Sequence, residues 1–345
     1  MAAITSGPAP RVRLRRADCS GPGLRRVRRG RGFSYLDTDG ERLDEPEVVQ
    51  RIDELAIPPA WEDVWICPYP GGHIQATGID AAGRKQYLYH PHWRARRDQE
   101  KFDDMVEFAR ALPALRERVE EALQAGDLGR EHVLACATRL LDRGFFRVGG
   151  EDYAVTNNSY GLATMLKRHV RLRGDVLVFD YPAKHGKRRV QAVVDPLVAD
   201  VIARLKARSG GGPELLAYKE GRRWVDVRSE DINEYLKATT GKDVSAKDFR
   251  TWGATVLAAM ALAVSGEVAT TKTGRKRAIS RAVKEVAHYL GNTPAVARAS
   301  YIDPRIFDRY RDGKTIAHAL PRAAEDGDTP AIQGPIEEAV LDLVT

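Results

Sequence analysis

Cysteine is scarce in this 345-residue chain, which contains only Cys19, Cys67 and Cys136. The three are odd in number and far apart, and neither a CxxC pair nor a Cys/His spacing typical of zinc ligands occurs. A disulfide framework and a structural zinc site are therefore excluded as the basis of the fold. Unpaired thiols of this kind are typical of a reducing compartment, so we expect a cytoplasmic protein.

Long hydrophobic runs are also missing. The longest, residues 254–264, is 11 residues long and includes Thr255, so it is too short to span a bilayer. The N-terminal residues pass from small side chains directly into arginines, without the apolar segment of a secretory signal. No glycine-rich phosphate-binding loop occurs either. These absences argue against membrane-spanning, secreted and P-loop ATPase classes.

Basic residues are abundant, and their balance favours an anionic partner. Hydrophobic residues make up 43% and charged residues 30% of the chain, whose length suits two globular domains. The net charge of +7 is compatible with a nucleic acid partner but does not establish one. Residues 11–31 hold nine arginines against one acid, Asp18. We predict that residues 1–31 form a flexible basic arm that contacts phosphates.

Two periodicities divide the rest of the chain. Residues 32–95 contain short alternating segments separated by glycine turns, such as VWICPYP and RKQYLYH, which predict a β-rich domain. Over residues 96–325, apolar residues recur at the spacing of helices. Residues 170–194 interrupt that spacing with strand-like alternation around two turns, which predicts a β-hairpin. We predict an α+β protein with a small β-rich N-terminal domain, a mainly α-helical domain and a low-order acidic tail over residues 326–345.

Four stretches place candidate functional residues in the helical domain. They are RGFFRVGGEDY (143–153), DYPAKHGK (180–187), SAKDFRTWGA (245–254) and LGNTPAVARASYIDP (290–304). The residues of interest are Arg147, Lys184, Arg250, Asn292 and Tyr301. Taken singly, each has an ordinary explanation, such as a surface arginine, a solvated turn lysine or a packed tyrosine. Arg250 differs in one respect, because a cation near the start of an apolar helix opposes the helix dipole, and an anionic ligand would explain it.

Taken together, these residue types suit attack on a phosphodiester of DNA. A tyrosine, with an ordinary pKa of about 10, becomes a nucleophile when cations stabilise its phenolate. Arginines stay charged and donate to two oxygens at once, so they neutralise charge that develops on the phosphoryl oxygens. The leaving 5′ oxygen needs a proton, which a hairpin lysine can deliver as a general acid. The pattern predicts a tyrosine nucleophile served by fixed cations.

The four stretches resemble those of the type IB DNA topoisomerases, in the smaller poxvirus-like form that also occurs in bacteria. The order arginine, hairpin lysine, arginine, histidine or asparagine, tyrosine is the family's order. The nine-residue step from Asn292 to Tyr301 matches its usual step. FRxG at Arg147 and KxxRT over residues 247–251 match the motifs around the family's two arginines.

The resemblance implies a role for each of these residues. Tyr301 is the nucleophile, Lys184 the general acid and Lys247 a second candidate proton donor. The phosphoryl oxygens are bound by Arg147, Arg250 and Asn292. Many relatives have histidine where this chain has Asn292, and asparagine can donate a hydrogen bond but cannot act as an acid near neutral pH. Proton donation therefore falls to a lysine.

The resemblance extends to the predicted β-rich domain. Residues 57–80, IPPAWEDVWICPYPGGHIQATGID, and residues 83–89, GRKQYLY, resemble the family's N-terminal domain, whose second segment lies in the DNA major groove. Three positions match its DNA-contacting side chains: Gln86, Tyr87 and Tyr89. Glutamine can bind adenine through two hydrogen bonds. EDYAVTNNSYG also matches, which implies that Tyr153 contacts the DNA backbone.

The resemblance implies a type IB DNA topoisomerase with a catalytic domain like that of the tyrosine recombinases. Such an enzyme relaxes positive and negative supercoils through a 3′-phosphotyrosyl intermediate, strand rotation and religation, without ATP, metal or another cofactor. We expect a monomer that acts as a clamp on double-stranded DNA in the nucleoid. Two alternatives stay open: a tyrosine recombinase, which usually has HxxR where this chain has Lys247, and a non-enzymatic DNA-organising protein with the same basic surface.

Overall fold

The chain forms two compact units, Met1–Lys101 and Phe102–Thr345. The computed structural model describes residues 13–266, 271–320 and 333–345, without the side chains of Tyr153 and His185. The division between the units lies beyond the boundary predicted at residue 95. The reason is that a long helix, Pro91–Gln124, runs through the predicted boundary.

An antiparallel sheet of five strands forms unit 1, in the order β2-β1-β3-β4-β5. Its strands are β1 (Leu24–Arg29), β2 (Gly32–Leu36), β3 (Glu62–Ile66), β4 (Ile74–Ile79) and β5 (Lys85–Tyr89). One helix, α1 (Pro46–Glu54), which the sequence analysis did not predict, begins at a proline with Glu47 in its first turn, as helix starts favour. Its Ile52 is buried with Leu24 and Ile66 in the core of the unit.

The prediction of a flexible arm through residue 31 is wrong for the described residues 13–31. Residues 24–29 are strand β1, which pairs with β2 along its length. Leu24 is buried, and the Arg26 guanidinium donates to three carbonyls, including that of Trp61 at 2.7 Å. Ala17 N donates to His73 Nδ1 at 2.9 Å, which attaches the preceding segment to the sheet. The arginine-rich composition conceals a strand in which Arg26 has structural partners. Residues 1–12 lie outside the described residues.

Unit 2 is mainly helical. Its helices are α2 (Pro91–Gln124, which begins in unit 1), α3 (Arg130–Gly144), α4 (Glu151–Asn157), α5 (Pro196–Ala207), α6 (Ser229–Thr240), α7 (Ala246–Gly266), α8 (Lys272–Leu290), α9 (Pro294–Ser300), α10 (Pro304–Arg311) and α11 (Pro335–Val344). Two small antiparallel sheets accompany them, β6 (Val170–Arg173) with β7 (Val176–Pro182) and β8 (Arg188–Val194), and β9 (Ala217–Glu220) with β10 (Arg223–Asp226). The α+β class and the hairpin over residues 170–194 are confirmed, whereas the β9–β10 hairpin was not predicted.

Helix α7 lies within the core of unit 2. It is rich in alanine, and small side chains let α3, α8, α10 and α11 pack closely around it. Its buried residues include Phe249, Trp252 and Leu262. Because Lys247 and Arg250 lie in its first two turns, the packing of α7 also fixes their positions. Within the described ranges, no helix is both long and apolar enough to cross a membrane.

The prediction of a low-order tail is wrong for residues 335–344, which form α11. Ile336, Val340 and Val344 recur every fourth residue and are buried against the core. Glu337 in its first turn accepts from Arg116 Nη1 at 2.5 Å and from Trp252 Nε1 at 2.7 Å. The apolar spacing is visible in the sequence, but the contacts of Arg116 and Trp252 with this helix are not. Residues 326–332 of the predicted tail lie outside the described residues.

Substitution of Glu337 is expected to destabilise unit 2. The Arg116 guanidinium is largely buried between Asp142 and Glu337. Removal of one partner of a buried ion pair costs about 3 kcal/mol of unfolding free energy, because the remaining charge loses its compensation. We expect a loss of that size for Glu337→Ala in urea denaturation. The neighbouring Glu338 is exposed, and Glu338→Ala is the matched control. Equal losses for the two variants would contradict this prediction.

Candidate active site

A pocket of about 300 Å³ in unit 2 brings together five of the six predicted catalytic residues. They are Arg147, Lys184, Lys247, Arg250 and Tyr301. The sixth, Asn292, lies beside the pocket, where its Oδ1 accepts a hydrogen bond from Arg147 Nη2. Residues up to 154 positions apart in the chain therefore meet at one place, since the set extends from Arg147 to Tyr301 (301 − 147 = 154).

Arg250 is the most deeply buried of these cations, with 3% of its surface exposed. Its guanidinium donates to the carbonyl oxygens of Leu290, at 2.9 Å, and Phe145. Its Nε has no hydrogen-bond partner among the described residues. Burial, and then the charge of Arg147, lower the pKa of Arg250 to about 10. A buried guanidinium without a carboxylate partner is suited to bind an anion that enters the pocket.

The backbone around Arg147 is fixed by a close approach of two chain segments. Arg147 O accepts from Leu162 N at 2.8 Å, and Val148 O accepts from Ala163 N at 2.7 Å. A Cβ on Gly161 would lie 2.4 Å from the Cα of Gly149, so glycine is required at this crossing. This pairing directs the loop after α3 so that Arg147 lines the pocket.

The C-terminal end of α8 binds three arginines through three consecutive carbonyl groups. The contacts are Arg189 Nη2 to Tyr289 O at 2.6 Å, Arg250 Nη2 to Leu290 O at 2.9 Å and Arg147 Nη2 to Gly291 O at 3.2 Å. The last carbonyls of a helix have no partner within the helix and carry the negative end of its dipole. Gly291, with φ of +62°, ends the helix and directs Asn292 toward Arg147. The α8 terminus therefore gathers cations without a carboxylate.

Tyr301 lies at the end of α9, where the backbone contacts Thr255 of α7. Thr293 caps α9 through a hydrogen bond from Val296 N, and Pro294 begins it, so one short helix separates Asn292 from the tyrosine. Thr255 Oγ1, on α7, lies 3.3 Å from Tyr301 O and accepts a hydrogen bond from Asp303 N at 3.1 Å. The nine residues from Asn292 to Tyr301 therefore consist of a turn and a capped helix, and the C-terminal end of that helix is fixed by Thr255.

The surroundings of Tyr301 favour its ionised form. Its ring is half-buried, and Arg250 Cζ lies 5.3 Å from the ring centroid. Burial alone raises the pKa of the phenol, but the charge and hydrogen bond of Arg250, the charge of Arg147 and a hydrogen bond from Asn292 together outweigh that effect. The pKa of Tyr301 therefore lies below its ordinary value. A phenolate stabilised in this way is a competent nucleophile.

Both candidate proton donors are exposed at the rim of the pocket. Lys184 begins a single 3₁₀ turn, Lys184–Gly186, between β7 and β8, and Ala183 N donates to Lys187 O at 2.8 Å to close this turn. Lys247 lies in the first turn of α7. Each ammonium group can therefore reach a ligand in the pocket from the solvent side.

The predicted DNA-contacting residues of unit 1 lie on the edge strand β5. Tyr87 and Tyr89 point to the same face, are each 41% exposed, and stack with ring centroids 6.1 Å apart. Lys85 lies over the ring of Tyr87. Gln86 is on the other face, where its Nε2 donates to Asp80 Oδ2 at 2.9 Å. The side chain of Tyr153, the remaining predicted contact, lies outside the described residues.

Sequence reasoning missed Arg189 as a member of the site. Its only signal was a second basic position in the strand after the hairpin lysine, within the run GKRRV. The contact with Tyr289 depends on residues 100 positions away, which no local pattern shows.

A larger pocket, of about 910 Å³ between α8, α9 and α10, contains none of the six predicted catalytic residues. In the part of the chain that the structure describes, no three His, Cys, Asp or Glu side chains are grouped as metal ligands.

Two protein families match this chain. The model of the eukaryotic DNA topoisomerase I catalytic core matches residues 90–319, more than half of the chain. The model of the bacterial DNA topoisomerase IB N-terminal domain matches residues 32–80. DNA topoisomerase 1B of Acanthamoeba polyphaga mimivirus is 29% identical over 297 residues, 84% of this chain and 88% of the viral protein. DNA topoisomerase 1B of Vaccinia virus (strain Copenhagen) is 20% identical over 236 residues, 68% of this chain and 72% of the viral protein.

Proposed function

Because the chain belongs to the type IB DNA topoisomerase family, we propose that Tyr301 is the nucleophile with which this DNA topoisomerase cleaves one strand of duplex DNA. The observation that carries the proposal is the pocket itself. It surrounds the half-buried Tyr301 with two arginines and two lysines; a second tyrosine, Tyr160, also lines it, and none of the described carboxylates does. The positive charge of the pocket suits a phosphodiester, which is an anion. It also lowers the pKa of Tyr301, which burial would otherwise raise.

The cleavage step exchanges one phosphoester for another. Tyr301 Oη bonds to the phosphorus, the phenolic proton passes to solvent, and the bond from phosphorus to the 5′ oxygen breaks. Lys184 Nζ gives a proton to the leaving 5′ oxygen, with Lys247 as the second candidate donor. The products are a 3′-phosphotyrosyl bond and a free 5′-hydroxyl group. The hydroxyl group reverses the reaction after the downstream duplex has rotated, so the linkage is kept without ATP.

The guanidinium groups stabilise the charge that builds up during the step. Arg147 and Arg250 are held by the end of α8 before any ligand binds, so little reorganisation is needed when a phosphate arrives. Asn292 accepts from Arg147 through Oδ1, which leaves its NH₂ group to donate to a non-bridging oxygen. We assign it to transition-state binding and not to proton transfer. These groups supply the charge stabilisation that a metal ion provides in other phosphoryl-transfer enzymes.

We propose that β5 of unit 1 contributes a second DNA contact. An exposed stacked pair of tyrosines beside Lys85 suits the sugar-phosphate backbone, and Gln86 can exchange Asp80 for a base edge. With one contact in each unit, a monomer can act as a clamp on double-stranded DNA. Its DNA substrate and the match of its N-terminal part to a bacterial domain favour action at the nucleoid in the cytoplasm.

Relaxation of plasmid DNA tests the proposed reaction. We expect the purified protein to relax both negatively and positively supercoiled plasmid in buffer that contains EDTA and no ATP. The plasmid needs no paired recognition sites, which a recombinase requires for strand exchange. Supercoil removal that depends on ATP or on added Mg²⁺ would contradict the proposal, and so would strand exchange without relaxation.

Gln86→Ala is expected to weaken sequence discrimination by the enzyme. A bidentate contact with a base contributes about 1–3 kcal/mol of preference for that base over the others. We therefore expect the spread of cleavage rates across a library of duplex sites to narrow at one base position, while affinity for non-specific duplex changes little. Gln50, which bonds Glu54 on α1, is the matched control in the same unit. An unchanged site preference in Gln86→Ala would count against this contact.

A further inference from the structure

Arg189 is a half-buried arginine of unit 2 whose charge has no carboxylate partner among the described residues. It is on β8 opposite Tyr181 of β7, and part of its side chain is buried. Its Nη2 donates to Tyr289 O at 2.6 Å, and its Nε donates to Gln191 Oε1. No salt bridge to Arg189 occurs within the described residues. Its neighbour Arg188 differs, because it is exposed and pairs with Asp180 at 2.7 Å.

The hydrogen bonds of Arg189 join the two chain segments that carry the phosphate-binding groups. Gln191 Nε2 donates to Gly144 O at 2.9 Å, and Gly144 ends α3 three residues before Arg147. On the other side, Tyr289 lies three residues before Asn292. The relay from Tyr289 through Arg189 and Gln191 to Gly144 therefore crosses from the end of α8 to the end of α3.

The turn after α8 is packed directly against this guanidinium. A Cβ on Gly291 would lie 2.8 Å from Arg189 Nη1 and 3.9 Å from Arg147 Nη1. Both arginines therefore border the turn that presents Asn292. Burial lowers the pKa of Arg189, and the nearby charge of Arg147 lowers it further, against the opposing effect of Tyr181. A half-buried charge that binds a carbonyl and an amide but no carboxylate loses part of its hydration, so a packing role alone does not account for it.

We propose that Arg189 is a positioning residue, which sets the spacing between Arg147 and Asn292 through its contacts with the ends of α8 and α3. It acts through those two groups and does not itself touch the reacting phosphate. The inference rests on the proposed function, because it assumes that Arg147 and Asn292 bind the phosphoryl oxygens. The β7–β8 hairpin thus contributes two residues to the proposed site: Lys184, the general acid, in its turn, and Arg189, the positioning residue, on β8.

Arg189→Ala tests the inference in single-turnover cleavage of a pre-bound duplex. We expect the rate constant to fall by about 10- to 100-fold, since misplacement of catalytic groups by about 1 Å can cost that much. Duplex affinity and the unfolding midpoint should stay close to those of the unchanged enzyme. Arg189→Lys, which keeps a terminal donor of nearly the same length, should recover part of the rate and serves as the second variant if Arg189→Ala folds poorly. Arg188→Ala removes the same charge from the same strand and should leave the rate constant unchanged.

A double-mutant cycle with Asn292→Ala separates positioning from an independent contribution. If Arg189 acts through the Arg147–Asn292 pair, its substitution costs much less in the Asn292→Ala background than in the unchanged enzyme. Equal fold losses in the two backgrounds would overturn the inference, and so would an unchanged cleavage rate in both Arg189 variants. Cleavage by Tyr301→Phe would instead contradict the proposed function, whatever the Arg189 variants do, so the two failures are distinguishable.

Discussion

Tyr301→Phe is expected to lose DNA relaxation by about 10⁴-fold or more while it still binds duplex DNA. The variant removes one oxygen, and that oxygen forms the only covalent bond to DNA in the proposed reaction. Phosphate affinity comes from the arginines and lysines around the pocket, which the substitution leaves in place. Plasmid relaxation and an equilibrium binding assay on a short duplex measure the two properties separately.

Tyr310→Phe is the matched control for that experiment. Tyr310 is buried in α10, and its hydroxyl has no hydrogen-bond partner among the described residues. Its removal should change neither relaxation nor affinity. If Tyr301→Phe relaxes plasmid as fast as the Tyr310→Phe control, the protein is a DNA-organising factor with another enzyme in the preparation, or another residue is the nucleophile.

Arg250→Gln is expected to slow single-turnover cleavage by about 10²- to 10³-fold, as is typical for removal of a preorganised donor to a developing oxyanion. Glutamine is shorter than arginine but polar and uncharged, so it leaves no unpaired charge in the core, and an unfolding midpoint close to that of the unchanged protein checks that the end of α8 stays folded. What glutamine cannot supply is the positive charge that offsets the burial of Tyr301. The measurement is the rate of covalent complex formation with the enzyme in excess over the duplex.

The same variant should also shift the pH dependence of cleavage. In the unchanged protein the charge and hydrogen bond of Arg250, with the charge of Arg147 and a hydrogen bond from Asn292, outweigh burial and lower the pKa of Tyr301. Without Arg250, burial prevails and the pKa of Tyr301 rises. The limb of the rate profile that increases with pH as the phenol ionises therefore moves to higher pH. A shift to lower pH, or no shift at all, would contradict this account of Tyr301.

Arg223→Gln controls for the loss of one positive charge. Arg223 is exposed on β10, away from the pocket lining. It should leave both the cleavage rate and its pH profile unchanged. Comparable losses in Arg223→Gln and Arg250→Gln would mean that net charge, and not the placement of Arg250, governs the rate.

Local patterns in the sequence predicted much of the fold, and the resemblance to a family pointed to the residues that line the pocket. Alternation gave the β6–β8 strands, and helical spacing gave the segments around Arg147 and Arg250. The step from Asn292 to Tyr301 follows from neighbouring residues alone, because a glycine ends α8 and a Thr-Pro pair begins α9. That these segments meet in one pocket was inferred from the resemblance to the type IB topoisomerases, because local patterns do not predict which distant segments pack together.

The errors share one physical cause. Composition suggested disorder at residues 24–29 and 335–344, but long-range partners order both segments. Arg26 donates to carbonyls more than 30 residues away, and Glu337 binds Arg116, 221 residues away. Arg189 escaped prediction for the same reason, because its acceptor lies on α8. Charged residues with distant structural partners resemble solvated ones when only the neighbouring sequence is considered.

The central claim is that a phenol oxygen, made reactive by the guanidinium groups at the end of α8, bonds to the 3′ side of a cut DNA strand. The direct measurement is to denature the enzyme during reaction with a duplex labelled at one 5′ end, digest the protein and sequence the labelled peptide. We predict that the 5′ label of the cleaved strand is recovered on a peptide that contains Tyr301, while the released fragment has a free 5′-hydroxyl group. Recovery of label on a different residue, or of a 3′-end label on the protein, would contradict the account.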